Sequence, residues 1–188
     1  MVGFLFEVGM LKRTPRSGWQ FLGSGGESVA EHTFRTAMIA YVLGRLDGAV
    51  DADRAVLIAL VHDLPEARTG DLNYMNQKYV EANEERAAHD MGAGLPFGEE
   101  LEALLEEYRR LETAEAKLVR DADQLEMLLS LKELMDAGNP SAQEWIPFVL
   151  RRLSTPTARE LAERILAGHS SAWWFDRQSE WWVSGGKK

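Results

Sequence analysis

Two side chains able to bind a metal ion stand next to each other in the chain, at His62 and Asp63. An apolar run over residues 55–61 precedes them, and Pro65 follows. Because proline disfavours the α region for the residue before it, we expect the helix to end near Asp63. At a helix end two adjacent side chains can converge, whereas mid-helix neighbours point about 100° apart. An imidazole nitrogen beside a carboxylate oxygen favours a divalent ion such as Mn, Fe, Co, Ni or Zn.

Two ligands alone do not hold such an ion, and two other parts of the chain offer further ones. His32 lies thirty positions before His62, in the first turn of a predicted helix. Asp121 and Asp123 follow much later, in the longest predicted helix. The apolar belt of that helix is too broad for helical phase to choose between the two aspartates. The candidate ligands therefore occur in the order histidine, histidine–aspartate, aspartate.

The elements that must position these residues all show helical patterns. Ser28 and Glu31 form a capping box that predicts a helix over about 29–46, and Asp51 is placed to cap a buried helix over 52–63. A short helix over 4–12 and a loop over 13–26 precede them. We predict later helices at 77–91, 98–111 and 113–137, one starting at Ser141-x-x-Glu144, and one from Thr155-Pro156 to Gly168.

No internal repeat, second domain or convincing strand pattern is visible, so the predicted fold class is all-α. We expect one domain over 1–183, with its core at about 27–138 and C-terminal helices at 141–183. A segment over 172–183 carries four tryptophans, and such a stripe more often docks on the protein's own core or on a partner subunit than on a membrane. Residues 184–188 are predicted to be a disordered tail.

Composition excludes several classes of protein. The 188 residues contain no cysteine, which excludes disulfides and thiolate metal sites. The net charge of −9 argues against broad binding of duplex nucleic acid, which needs a basic footprint. No apolar run approaches the length of a membrane span, and Glu7 interrupts the apolar N-terminus before it could act as a signal peptide. We therefore expect a cytoplasmic protein with no membrane partner.

Other residues near the candidate ligands have suitable chemistry for a phosphorylated substrate. Glu66 lies just past the histidine–aspartate pair and could orient a water or transfer a proton. Arg16, in the loop before the His32 helix, could hold a phosphate through two hydrogen bonds. Trp19, in the same loop, could pack on a base or a sugar.

The chain resembles the HD-domain metal-dependent phosphohydrolases and, more narrowly, the small HD proteins of the 5′-deoxynucleotidase type. The resemblance covers roughly residues 4–138. It is carried by LKRTPRSGW at 11–19, ESVAEH at 27–32, HDLPE at 62–66, TGDL at 69–72, EY at 107–108 and AKLVRDADQ at 116–124.

The resemblance implies a helical bundle around a buried metal site, and it chooses Asp123 over Asp121. The implied metal ligands are His32, His62, Asp63 and Asp123, and the implied cofactor is one divalent transition metal ion. The resemblance also implies that Glu66 and Asp71 serve catalysis and sugar recognition, and it singles out Glu107 as a substrate-binding residue.

The resemblance further implies a homodimer that removes the 5′-phosphate from deoxyribonucleoside monophosphates. Two alternatives remain open at this point. One is another HD phosphohydrolase, acting on deoxynucleoside triphosphates or cyclic nucleotides. The other is a nucleotide-binding or metal-stabilised interaction module that does not turn over substrate.

Overall fold

The computed structural model describes residues 1–176 and 178–185, and within them it contains helices and turns but no β-strand. This confirms the all-α prediction. No described helix is both long enough and apolar enough to cross a membrane. The helices are α1 (Val2–Val8), α2 (Val29–Asp47), α3 (Ala52–Val61), α4 (Glu66–Thr69), α5 (Glu84–Gly92), α6 (Gly98–Arg110), α7 (Ala114–Asp136), α8 (Pro140–Arg152), α9 (Pro156–Ala167) and α10 (Glu180–Ser184).

Most helix ends lie where the capping residues predict them. The Ser28 hydroxyl accepts a hydrogen bond from the Glu31 amide, and the Glu31 carboxylate accepts one from the Ser28 amide, which completes the predicted capping box of α2. The Asp51 side chain caps α3 by accepting hydrogen bonds from the amides of Asp53 and Arg54. Because α3 ends at Val61, two residues earlier than predicted, the histidine–aspartate pair follows the last helical turn.

Several segments differ from the prediction. The segment expected to be helical over 4–12 continues after Val8 as a 3₁₀ helix, Gly9–Lys12, and the expected loop over 13–26 contains another, Ser17–Phe21. The helix expected over 77–91 begins only at Glu84, because the Asn83 side chain accepts a hydrogen bond from the Arg86 amide and caps the helix there. Helix α8 begins at Pro140 rather than at Ser141, since Asn139 caps it and proline suits the first helical position.

The C-terminal segment also differs from its prediction. Only α10 is helical there, and Trp173 is 86% exposed, so it does not dock on the chain's own core. Docking of this segment on a partner subunit stays a prediction. Helix α10 still includes Ser184, and residues 186–188 of the predicted disordered tail lie outside the described residues.

Helix α7 is the central element of the bundle, and it packs against α2, α3, α6, α8 and α9. Its apolar side chains are buried around much of its circumference, including Leu118, Val119, Leu125, Leu128 and Leu131. Burying this belt is the main driving force for placing α2 and α3 against α7. The broad apolar belt of this helix is therefore used in the chain's own core.

A second, smaller core joins the N-terminal segment to the rest of the molecule. It contains Leu11, Val29, Leu64, Met91 and Leu101, all nearly inaccessible to solvent. Leu11 precedes the loop that holds Arg16, and Leu64 follows the histidine–aspartate pair. This core therefore fixes that loop over the C-terminal end of α3.

Candidate metal site and substrate cleft

The predicted metal ligands come together from α2, the end of α3 and α7. His32, His62 and Asp123 each offer a ligand atom within 4.8 Å of the others, and Asp63 contacts both histidines. The Nε2 atom of His32 lies 3.3 Å from Asp123 Oδ1 and 3.5 Å from Asp63 Oδ2. The Nε2 atom of His62 lies 3.3 Å from the same Asp63 oxygen. Two atoms that each lie about 2.1 Å from one ion are about 3.0 Å apart in octahedral and about 3.4 Å apart in tetrahedral coordination. The observed spacings match those of ligands around a single ion.

Both histidines turn the correct nitrogen towards this cluster. His62 Nδ1 lies 2.7 Å from the carbonyl oxygen of Ala59, to which it donates, and His32 Nδ1 lies 2.7 Å from Glu126 Oε2. In the neutral imidazole these bonds leave a lone pair on Nε2, which is the form that binds a metal, and a bound cation would replace the Nε2 proton of His32. His62 Nε2 is buried and has no hydrogen-bond partner among the described residues. Such an orphaned acceptor beside carboxylates fits a site built for a cation.

The electrostatics of the cluster lead to the same conclusion. Although burial disfavours the charged form, hydrogen bonds to Asp123 and Glu126 raise the pKa of His32 to about 10. Burial favours the neutral form of Asp123, yet contact with His32 lowers its pKa well below the usual range. The cluster therefore stabilises positive charge at its centre, as a divalent cation site must.

The structure separates the two aspartates that helical phase left undecided. Asp121 is fully buried on the opposite side of α7, where it accepts hydrogen bonds from the backbone amides and hydroxyls of Ser154 and Thr155. It therefore anchors the connection between α8 and α9. Asp123 instead faces His32, so only Asp123 is brought to the metal site.

Glu126 is a functional candidate that the sequence analysis missed. Its side chain is completely buried; one oxygen holds His32, and the other accepts hydrogen bonds from Arg35 Nε and Nη2 at 2.9 and 2.6 Å. Burial opposes ionisation, but His32 and Arg35 lower the pKa of Glu126 to about 2. The signal was available, since Asp123 and Glu126 are three residues apart and so share one face of α7.

The metal site opens into a cleft of about 2190 Å³. Its walls include the predicted substrate and catalytic residues Arg16, Trp19, Glu66 and Asp71. A cleft of this size exceeds the volume of about 300–1,000 Å³ that is typical of small-molecule sites. It can therefore hold a mononucleotide with room to spare.

Arg16 faces the metal site at the cleft wall. Its Nη1 lies 3.5 Å from Asp63 Oδ2 and 3.6 Å from Asp71 Oδ1. Burial opposes its charge, but the nearby carboxylates raise the pKa of Arg16 further above its ordinary value. Asp71 also accepts hydrogen bonds from the amide and hydroxyl of Ser17, the latter at 2.8 Å. Asp71 therefore holds the loop that presents Arg16.

Glu66 has a free carboxylate oxygen in this setting. Its Oε2 is buried and has no hydrogen-bond partner in the described part of the chain. Burial raises the pKa of Glu66 to about 9, and the negative charges of Asp63 and Asp71 contribute to the shift. A bound divalent cation would oppose this shift by adding positive charge beside the carboxyl group.

The prediction that Glu107 contacts substrate is corrected by the structure. Its carboxylate accepts hydrogen bonds from Arg54 Nε at 2.9 Å and from the Thr113 hydroxyl at 2.7 Å, and it does not line the cleft. The next residue, Tyr108, points to the cleft instead. Its ring packs edge-on against His62 with a centroid separation of 5.2 Å, and its hydroxyl is paired with Arg120.

Comparison with known proteins places this geometry in a family. Residues 8–165 match the HD domain family. The chain is 34% identical to bovine 5′-deoxynucleotidase HDDC2 over 89% of this chain and 84% of that protein.

Two solved structures have the same architecture. A conserved hypothetical protein from Pyrococcus furiosus superposes with a TM-score of 0.74 and 31% identity, covering 89% of this chain and all of that one. A predicted metal-dependent phosphohydrolase from Magnetospirillum magnetotacticum superposes with a TM-score of 0.69 and 26% identity, covering 88% and 89% of the two chains. The match over most of the length, together with the histidine–aspartate cluster at the end of α3, shows that the chain belongs to the HD domain family.

Proposed function

We propose that this protein is a metal-dependent 5′-deoxynucleotidase, which hydrolyses deoxyribonucleoside 5′-monophosphates to a deoxynucleoside and inorganic phosphate. The observation that carries this proposal is the convergence of two imidazole nitrogens and two carboxylates at the wall of a cleft, facing one arginine. The function named for the bovine relative supports the choice of substrate.

In this proposal His32, His62, Asp63 and Asp123 hold one divalent transition metal ion. The set of two nitrogens and two oxygens suits Mn, Fe, Co, Ni or Zn, and the absence of cysteine leaves no thiolate competitor. When bound, such an ion neutralises charge on a phosphate and lowers the pKa of a water towards about 7.

The chain's own residues supply the remaining functions. Arg16 donates hydrogen bonds to the phosphate oxygens and replaces its contacts with Asp63 and Asp71 when substrate enters. Glu66 orients the attacking water and accepts its proton through the carboxylate oxygen that has no protein partner. Asp71 keeps Arg16 in place through Ser17 and lies where it can also contact the sugar. Trp19 packs against the sugar side of the nucleotide.

Release of inorganic phosphate tests the proposal directly. Purified protein is incubated with dAMP, dCMP, dUMP or dTMP, and with the corresponding triphosphates and cyclic dinucleotides, in the presence of Mn²⁺ or Co²⁺. We expect phosphate release from the monophosphates. Release of inorganic triphosphate from the triphosphates, or opening of the cyclic dinucleotides, with no phosphate released from the monophosphates, would favour another HD phosphohydrolase. Binding without turnover would favour an interaction module.

The role of Glu126 gives a separate prediction. Replacing Glu126 by glutamine removes the carboxylate that fixes the tautomer of His32, so we expect metal affinity to fall about 10–100-fold. Isothermal titration calorimetry, with the metal ion titrated into each variant, measures this change. Glu133→Gln is a matched control, because Glu133 also binds Arg35 but does not contact His32. Equal metal affinity in the two variants would contradict the proposed positioning role.

We also propose a homodimer, and we expect light scattering to give a mass near twice 21.1 kDa. Support comes from an apolar stripe along the outer face of α2, formed by Phe34, Met38, Tyr41, Val42 and Leu46, each at least 42% exposed. Phe34→Asp places a charge in this stripe and should shift the mass towards the monomer. Phe6→Asp, at a 78% exposed position on α1, should not. A monomeric wild-type protein at micromolar concentration would contradict the proposal.

The expected cytoplasmic location and the absence of duplex nucleic acid as a partner stay predictions. The acidic net charge of −9 supports the second of these.

A further inference from the structure

One face of helix α8 lines the cleft, and none of its residues is a proposed metal ligand, phosphate ligand or general base. Trp145, Phe148, Val149 and Arg152 all belong to the cleft wall. Phe148, Val149 and Arg152 follow Trp145 by three, four and seven residues, so all four lie on one side of the helix. Seven residues of α-helix extend about 10 Å, so this face forms an elongated wall.

Both ends of this face are connected to the candidate catalytic site. At one end the Trp145 ring borders Gly18, since a Cβ atom at position 18 would lie 3.9 Å from Trp145 Cζ3. Gly18 is two residues from Arg16, the proposed phosphate ligand. At the other end Arg152 Nη1 donates to Gln124 Oε1 at 3.4 Å, and Gln124 Nε2 donates to Asp123 Oδ2 at 2.9 Å.

The chemistry of this wall suits a flat, partly polar ring. Trp19, Met127 and Trp145 are half-buried in the cleft, and Phe148 is 60% exposed there. Arg152 supplies only donors, and the hydrogen bond to Gln124 that it makes among the described residues leaves most of them available. A nucleobase has an aromatic face for stacking and acceptor atoms at its edge, whereas a sugar or phosphate has no such face.

We propose that this face of α8 is the nucleobase subsite, with Trp145 as the stacking platform and Arg152 donating to acceptor atoms on the base edge. The inference rests on the proposed function and specifies its substrate class. It requires that the base, and not only the phosphorylated sugar, contributes to recognition. Stacking of one base on an aromatic side chain contributes about 1–3 kcal/mol, which corresponds to about a 5- to 150-fold effect on kcat/KM.

The test compares dAMP with 2-deoxyribose 5-phosphate, which carries the same phosphate and sugar without a base. The wild-type enzyme should prefer dAMP by about 5- to 150-fold in kcat/KM. Trp145→Ala should remove most of this preference through a higher KM for dAMP, while kcat/KM for 2-deoxyribose 5-phosphate stays within about twofold. Trp145→Phe keeps an aromatic face and should retain most of the preference. Trp173→Ala, at an exposed tryptophan outside the cleft, is the control and should leave kcat/KM unchanged for both substrates.

The outcomes separate the inference from the proposed function. Equal use of both substrates by the wild-type enzyme would overturn the subsite, and so would a parallel loss for both substrates in Trp145→Ala. If no phosphate is released from either substrate, the proposed function fails, and direct titration with deoxyadenosine then decides the inference. If the wild-type protein binds deoxyadenosine and Trp145→Ala does not, the subsite is supported. If the wild-type protein does not bind deoxyadenosine, the subsite is rejected.

Discussion

Replacing Glu66 by glutamine is expected to lower kcat at least about a hundredfold, with metal content and melting temperature nearly unchanged. The substitution keeps the shape of the side chain and removes its ability to accept a proton. General acid–base help is typically worth about 10²- to 10⁴-fold in rate. If Glu66 served only as an acidic residue in the first turn of α4, its contribution would be limited to a few tenths of a kcal/mol of stability. Steady-state kinetics with dAMP, elemental analysis and thermal melting measure the three quantities.

Glu107→Gln is the matched control for this experiment. It makes the same chemical change, but its carboxylate binds Arg54 and Thr113 outside the cleft. We expect Glu107→Gln to keep its activity and to lose a little stability. A Glu66→Gln enzyme with more than about a tenth of the wild-type activity would contradict the role as general base. Loss of the metal together with activity would make Glu66 a ligand instead.

Removal of divalent cations is expected to lower the melting temperature by roughly 5–11 °C. A ligand present at a hundred times its Kd stabilises the folded protein by about 2.7 kcal/mol. For a domain of this size, each kcal/mol shifts the melting temperature by about 2–4 °C. The sign follows from the charges, since Asp63, Asp71 and Asp123 surround the site and repel one another when no cation is bound. Thermal melting with EDTA, and again after adding Mn²⁺ or Co²⁺, measures the shift.

Elemental analysis of the reloaded protein should find about one transition metal ion per chain. Asp63→Asn should lose both this stoichiometry and the cation-dependent rise in melting temperature. Asp53→Asn is the control, because Asp53, at the start of α3, is exposed and pairs with Arg45, at the other end of the helix from His62 and Asp63. An Asp63→Asn protein that binds the full amount of metal would remove Asp63 from the ligand set.

The local sequence was sufficient to predict most of the helices. Capping residues such as Ser28 and Asp51 act through hydrogen bonds to amides two or three positions away, so their effect can be predicted from spacing alone. The predicted helix over 77–91 was wrong at its start because that prediction followed the polar composition of the segment. The helix begins at Glu84, where the Asn83 side chain caps it. Pro65 likewise predicted that α3 ends near Asp63, and the helix ends two residues before that, at Val61.

The sequence by itself also determined the chemical types available to the site, because only histidine and carboxylate ligands occur in a chain without cysteine. The order of the histidine, the histidine–aspartate pair and the later aspartate is a property of the sequence, and it carried the resemblance to the family. The distances between these residues depend on how α2 and α3 pack on α7.

Only the tertiary structure decided which side of α7 faces the metal site. Apolar residues surround that helix, so nothing local separated Asp123 from Asp121; the packing of α2 on one side and of the α8–α9 connection on the other did so. The same packing gave Glu126 its contact with His32 and turned Glu107 away from the cleft. Each of these side chains has a partner at least 33 residues away in the sequence. Such contacts form only when the hydrophobic core fixes the helices against one another.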